Sequence, residues 1–176
     1  MMIVITITAI VIVQRVSELF LSRRNFGWAM SHGAIEYGEG HYWLFIALHS
    51  MWIIALNAEW YFLRPEIPSF WPYIAAIVVI AQIIRYWAIK SLGKRWNTRI
   101  LVMENWPLIE AGPYRLLKHP NYLAVVLEIA AVPALIGAWY TVAVFSILNA
   151  ALLFFIRIPA EEKALRSRRT TCQKPL

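Results

Sequence analysis

Residues 122–156 read YLAVVLEIAAVPALIGAWYTVAVFSILNAALLFFI, an apolar run with a single charged residue, Glu128. As one helix this run would be about 50 Å long, whereas the hydrocarbon core of a bilayer is about 30 Å thick. Pro133 and Gly137 supply a break inside the run. The run therefore predicts two short helices, 122–136 and 139–156, folded back on each other as a tight hairpin.

Three further apolar segments precede this hairpin. Residues 2–21, 42–63 and 71–91 each reach the length of about 20 residues that a membrane span needs. The chain is 60% hydrophobic, above the roughly 45–50% of soluble domains. We therefore predict an all-α fold in one integral membrane domain, a bundle of about five transmembrane helices. Polar segments 92–121 and 157–176 are expected to lie outside the bilayer.

The basic residues predict how this bundle lies in the membrane. With five spans, Arg64 falls on one side, and the other Lys and Arg residues outside the spans fall on the opposite side. The positive-inside rule places that basic side in the cytoplasm, with the N-terminus outside and the C-terminus inside. In a bacterial host this would be the inner membrane. The net charge of +7 then favours membrane lipids as partners, not nucleic acid, because the basic residues flank apolar runs.

Several kinds of site are excluded by the sequence. It contains no GxGxxG segment, Walker loop or HExxH motif, and no aspartate. A single cysteine, Cys172, cannot build a disulfide framework or a cysteine-rich metal site. No metal site is predicted, because the four histidines share no helical spacing; they are His32, His41, His49 and His119.

The strongest polar motif is GPYRLLKHPNY, residues 112–122. Pro120 suits the first position of a helix, so a helix is expected to begin there with its positive dipole end beside Lys118 and His119. Such an end binds carboxylate or phosphate groups. A basic turn that only anchors the helix to lipid headgroups explains the same residues equally well.

A second polar motif, RIPAEE at residues 157–162, follows the last span. Arg157 and Glu161 are four residues apart and share one helix face, so one pocket would offer a cation and an anion to a zwitterionic ligand. The alternative is an ordinary helix-end ion pair that contributes only about 0.3–0.5 kcal/mol.

Charged residues also lie inside the predicted spans, where they are costly and suggest a function by default. They are Arg15, Glu18, Glu59, Arg85 and Glu128. We expect Arg15 to pair with Glu18, three residues away, and Arg85 to pair with Glu128. Pairs that stabilise the bundle are favoured over a catalytic role.

Taken together, LGKRW at residues 92–96, the 112–122 motif, the apolar hairpin and the 157–162 ending resemble the isoprenylcysteine carboxyl methyltransferase family. The resemblance covers residues 92–165. Its His-Pro-x-Tyr element also occurs in related membrane methyltransferases and some reductases, and the combination with Arg-x-x-x-Glu-Glu is more specific. The resemblance implies an integral membrane enzyme that uses S-adenosylmethionine without a Rossmann domain.

The resemblance also implies which residues form the site. Arg157 would be the catalytic residue that binds and orients the substrate. The contacts to S-adenosylmethionine would be Leu108, Ile109, Tyr114, His119, Pro120, Asn121, Tyr122 and Glu161. The family's His-x-Leu-Val-like element reads Trp106-Pro107-Leu108-Ile109 in this chain, so its apolar part is kept and its histidine is absent.

The acceptor that the resemblance implies is a carboxylate on a lipidic or prenylated small molecule or protein that arrives from the bilayer, as in prenylcysteine. A carboxylate is ionised at neutral pH and needs positioning but no general base. An enol, phenol or amine would need a base, for which His119 and Glu128 are candidates. The alternatives are O- or N-methylation of a polyketide lipid or phospholipid, a membrane reductase with a nicotinamide cofactor, and a non-catalytic membrane protein such as an assembly factor or transporter subunit.

Overall fold

The computed structural model describes residues 2–103 and 106–171. The last residues of the predicted polar segment 157–176, which include Cys172, lie outside the described residues. The described chain is a helical membrane bundle, as its composition predicts. Its helices are α1 (Met2–Ser31), α2 (Glu39–Leu63), α3 (Trp71–Leu92), α4 (Pro120–Ala134), α5 (Trp139–Leu152) and α6 (Ile158–Thr171). Two short strands, β1 (Ile35–Tyr37) and β2 (Ile100–Val102), pair antiparallel and were not expected from the sequence.

Three helices of the described chain are long and apolar enough to cross a membrane: Met2–Ser31, Trp71–Arg95 and Trp139–Arg166. α4 is apolar but has 15 residues, fewer than a full span needs. α2 has the length of a span, 25 residues, but polar His49, Asn57 and Glu59 interrupt its apolar sequence. The total of five spans therefore remains a prediction that depends on α2 and α4.

The hairpin between α4 and α5 turns where Pro133 and Gly137 predict it. Gly137 has a φ of +75°, and a Cβ atom there would lie 2.3 Å from the backbone oxygen of Glu66 in the α2–α3 turn, so glycine permits this close approach. Glu59 of α2 accepts hydrogen bonds from the backbone N–H groups of Tyr140 and Thr141, at 3.0 and 2.6 Å. Glu59 therefore caps the start of α5.

Residues 22–41, between the first two predicted spans, would be read from the sequence as a connecting loop, but most of them lie in regular structure. α1 continues to Ser31, and β1 follows it. Asn25 donates a hydrogen bond to the backbone oxygen of Trp96 at 2.8 Å, and Ser22 donates one to Asn97 at 3.0 Å. These contacts fix the end of α1 to a segment about seventy residues later in the chain, which no local sequence pattern reveals.

The helix predicted over residues 139–156 does not end at residue 156. A π-helical turn, Leu153–Arg157, joins α5 to α6, so helical backbone continues to Thr171. Pro159 cannot donate the hydrogen bond that an α-helix would require one turn earlier, and a π turn is one way to accommodate that loss. The turn leaves Arg157 buried, with 7% of its surface exposed.

The two ion pairs predicted inside the membrane are present, and they form one cluster. Arg15 contacts Glu18 at 2.8 Å, and Arg85 contacts Glu128. In addition, Arg15 contacts Glu128 and Arg85 contacts Glu18 at 3.2 Å. Gln82 also donates a hydrogen bond to Glu128. The cluster joins α1, α3 and α4 and balances two positive against two negative charges.

Replacing Arg85 with methionine is expected to destabilise the protein by about 3–5 kcal/mol, because Glu18 and Glu128 would each lose a cationic partner in a buried site. The measurement is the thermal unfolding midpoint of the purified protein in detergent. The double variant R85M/E128Q should recover part of the loss, since it removes one uncompensated charge. An R85M midpoint equal to that of the parent would contradict the prediction.

Candidate functional site

A cavity of about 780 Å³ runs from the segment between α3 and α4 into the bundle. Its volume is within the range of small-molecule sites. Residues from all six helices and from β2 line it. All nine residues that the resemblance selected are among them: Leu108, Ile109, Tyr114, His119, Pro120, Asn121, Tyr122, Arg157 and Glu161. The structure therefore brings them to one place, and their roles toward a ligand remain predictions.

A short 3₁₀ turn, Gly112–Arg115, brings Tyr114 to this cavity. Gly112 has a φ of +59°, and a Cβ atom there would lie 2.0 Å from the Ser91 hydroxyl on α3, so this position requires glycine. Burial, together with the nearby negative charge of Glu161, raises the pKa of Tyr114. The Tyr114 phenol therefore stays protonated at neutral pH and is available as a hydrogen-bond donor.

His119 immediately precedes α4, which begins at Pro120 as predicted. Its Nδ1 atom lies 3.8 Å from Glu161 Oε2, and its ring stacks on that of Tyr122 with 5.2 Å between centroids. Within the described chain, His119 Nε2 and Asn121 Oδ1 are buried without a hydrogen-bond partner. Buried polar atoms normally have partners, so both atoms are suited to a ligand that enters the cavity.

The hydroxyl group of Tyr122 connects Arg157 and Glu161 of the second motif. It donates a hydrogen bond to Glu161 and accepts one from Arg157 Nε at 3.0 Å. Arg157 Nη2 donates to the backbone oxygen of Thr98 at 2.8 Å. A guanidinium group has five N–H donors, so Arg157 is fixed from two sides and still has donors for a ligand.

Thr98 is a site residue that the sequence analysis missed. Its hydroxyl lies 2.7 Å from that of Ser22 on α1 and 2.9 Å from that of Tyr42 on α2. These contacts fix the carbonyl group that holds Arg157. No motif marks Thr98, because its partners come from separate helices.

Residues 106–109 are held near the end of α1 by side-chain contacts. Arg95 donates a hydrogen bond to the backbone oxygen of Pro107 at 2.6 Å, and its guanidinium group lies 4.3 Å from the Trp106 ring centroid. Trp106 meets Trp28 edge-on at 5.3 Å. Aromatic and cation–π contacts therefore hold this segment at the rim of the cavity.

Lys118, predicted to help bind an anion at the start of α4, forms an ion pair with Glu162. This contact lowers the pKa of Glu162, which stays ionised at neutral pH. Of the two consecutive glutamates, Glu162 therefore faces Lys118, whereas Glu161 faces Tyr122 and His119.

Apolar residues of α2 line part of the cavity, among them Phe45, Ile46 and Ile53. Ile46 is 47% exposed, and Leu19 on α1, which also lines the cavity, is 45% exposed. These two apolar residues therefore belong both to the cavity lining and to the exposed surface of the bundle.

Comparisons with known proteins identify one family and one similar protein. A model of the isoprenylcysteine carboxyl methyltransferase (ICMT) family matches residues 74–167, which are more than half of the chain and include α4, α5 and the π turn. The uncharacterised protein YpbQ of Bacillus subtilis (strain 168) is 46% identical over 158 residues, covering 90% of this chain and 94% of that protein. No solved structure matches the chain significantly.

Proposed function

Because this chain belongs to the isoprenylcysteine carboxyl methyltransferase family, we propose that it transfers a methyl group from S-adenosylmethionine to a lipid-borne acceptor. The preferred acceptor is a carboxylate, as in prenylcysteine. One observation carries the proposal. A carboxylate, Glu161, and a guanidinium, Arg157, lie on either side of the Tyr122 hydroxyl in a cavity that reaches the apolar part of the bundle.

The outer part of the cavity has the groups that S-adenosylmethionine requires. Glu161 is placed to pair with the ammonium group of that molecule. The positive end of α4 is suited to its carboxylate, and the unpartnered His119 Nε2 and Asn121 Oδ1 offer further hydrogen bonds. When bound, S-adenosylmethionine supplies a methyl group on a positively charged sulfur, and transfer to an acceptor oxygen leaves S-adenosylhomocysteine.

Arg157 would bind and orient the acceptor carboxylate. Its two partners, the Tyr122 hydroxyl and the Thr98 carbonyl, are neutral, so its positive charge is available for an anion. The ionised carboxylate attacks without a general base, and holding it in line with the methyl group contributes several kcal/mol through orientation. Apolar cavity walls exclude water from the nucleophile.

We infer that a lipid-borne acceptor enters laterally from the bilayer between α1 and α2, where Leu19 and Ile46 line the cavity and are also exposed. Val125 and Leu153 extend the apolar lining of the cavity. The positive-inside rule places the adjoining polar end of the bundle in the cytoplasm, where the water-soluble methyl donor is available.

A larger side chain at this proposed entrance should impair use of the acceptor and leave binding at the methyl-donor site unchanged. Ile46→Trp is expected to lower kcat/KM for S-farnesylcysteine roughly tenfold, equivalent to about 1.4 kcal/mol, because the larger side chain would obstruct entry of the acceptor. The affinity for S-adenosylhomocysteine should stay the same. Ile54→Trp is the matched control, since Ile54 lies on α2, is more exposed and does not line the cavity. Equal effects of the two substitutions would argue against this route.

The proposed function is tested with the full chain purified in detergent. Calorimetry should detect binding of S-adenosylmethionine and S-adenosylhomocysteine, and much weaker binding of NADPH. Radiolabelled methyl groups should then appear in membrane lipid and be released by mild base, as methyl esters are. Label that resists base would indicate the ether or amine product of the alternative lipid methyltransferase. Absence of binding to S-adenosylmethionine would overturn the proposal.

A further inference from the structure

The part of the cavity that lies between the helices has polar as well as apolar lining. Four of the polar residues that line it come from four different helices. They are Arg15 on α1, His49 on α2, Arg85 on α3 and Asn149 on α5. We refer to these four residues as the inner polar ring.

Each member of the inner polar ring has one buried side-chain atom without a hydrogen-bond partner in the described chain. The atoms are Arg15 Nε, His49 Nε2, Arg85 Nε and Asn149 Oδ1. Asn149 and Arg85 are each only 1% exposed. A buried polar atom without a partner costs free energy, and four such atoms around one cavity indicate a polar group that the protein itself does not supply.

His49 and Asn149 lie at the same level of the bundle. α2 and α5 are antiparallel neighbours, and Glu59 contacts Thr141 near one end of the pair. His49 precedes Glu59 by ten residues, or about 15 Å of helix, and Asn149 follows Thr141 by eight residues, or about 12 Å. Because the two helices are antiparallel, both distances run in the same direction from the contact.

The chemistry of the ring defines the group that it would bind. His49 Nδ1 lies 2.8 Å from the Phe45 carbonyl, which can only accept, so Nδ1 carries the proton and Nε2 of the neutral ring is an acceptor. Asn149 Oδ1 is a second acceptor, and the two arginine Nε–H groups are donors. The arginine charges are already balanced by Glu18 and Glu128. The ring therefore suits a neutral group that both donates and accepts hydrogen bonds, as a hydroxyl does.

We propose that the inner polar ring binds a hydroxyl group on the chain of the acceptor lipid, several carbon atoms away from the carboxylate at Arg157. This proposal rests on the proposed function, which places that carboxylate. Asn149 precedes Arg157 by eight residues, about 12 Å of helix, and Phe45, one turn from His49, lies 5.7 Å from Arg157. Among lipid-borne carboxylates, an acceptor with a hydroxyl group near the middle of its chain should therefore bind more tightly than one without it.

The test measures binding of defined fatty acids to the full chain in detergent saturated with S-adenosylhomocysteine. Three probes are compared by calorimetry: hexadecanoic acid, its derivative with a hydroxyl next to the carboxyl group, and its derivative with a mid-chain hydroxyl. The mid-chain derivative should bind about tenfold more tightly than the other two, as expected for one or two added hydrogen bonds. Equal affinities would assign the ring to buried water and overturn the proposal, as would absence of binding by all three acids.

Variants connect this preference to the ring. Asn149→Leu and His49→Phe should each remove the preference for the mid-chain hydroxyl, and His49→Gln should retain part of it, because its amide reaches the place of Nε2. Ser146→Ala is the matched control, since its hydroxyl is also buried and unpartnered on α5 but Ser146 does not line the cavity. A preference that survives N149L would overturn the proposal. Binding of S-adenosylhomocysteine alone tests the proposed function separately and should be unchanged in all four variants.

Discussion

Replacing Arg157 with lysine is expected to lower kcat/KM for a lipid carboxylate acceptor by roughly 10- to 100-fold, equivalent to about 1.5–3 kcal/mol for hydrogen bonds to a charged group. In the structure the guanidinium group contacts Tyr122 and Thr98 simultaneously and still has donors for a ligand. The ammonium group of lysine is a single point of charge and cannot reproduce the several directed hydrogen bonds of the planar guanidinium group. Because lysine keeps the positive charge, a loss of kcat/KM would show that the geometry of the guanidinium group matters.

The measurement is transfer of radiolabelled methyl groups to S-farnesylcysteine at varied acceptor concentration. The affinity for S-adenosylhomocysteine should change much less, because Glu161 and His119 remain in place. Arg64→Lys provides the same chemical change at the far end of the bundle, where Arg64 stacks on Trp60. If R157K and R64K have the same acceptor kinetics, Arg157 does not bind the acceptor.

The second large effect is expected at Glu161. Glu161→Gln should weaken binding of S-adenosylmethionine by roughly 10- to 100-fold, because the negative partner proposed for the donor's ammonium group is lost. The Tyr122 hydroxyl would also lose its charged acceptor and hold Arg157 less firmly. Acceptor kinetics should therefore deteriorate as well. Calorimetry with S-adenosylmethionine measures the first effect directly.

The adjacent residue offers a close control. Glu162→Gln removes the same charge one position later, but Glu162 is paired with the exposed Lys118. Surface ion pairs contribute little, so the affinity for the donor should change by no more than about a few-fold. The same loss of affinity in E161Q and E162Q would show that the net charge near the cavity matters and that the specific contact with Glu161 does not.

Much of the fold follows from local sequence. The apolar runs are long enough to specify helices without any knowledge of their neighbours, because each residue in a bilayer must satisfy its backbone within its own helix. The reasons are equally local at two further positions. Gly137 marks the hairpin turn because glycine tolerates a positive φ, and Pro120 marks the start of α4 because proline has no N–H group to donate there. The 112–122 and 157–162 motifs, which the sequence analysis expects to form one site, do contribute residues to the lining of one cavity.

Only the tertiary structure determines the partners of the polar side chains. Arg15 contacts Glu128, 113 residues away, and Ser22 contacts Thr98, 76 residues away. A buried polar group requires a partner. The amino-acid sequence does not identify that partner, because the pairing depends on which helix faces pack together. For the same reason the link from Glu161 through Tyr122 to Arg157, and the inner polar ring beyond it, become visible only once the helices are packed.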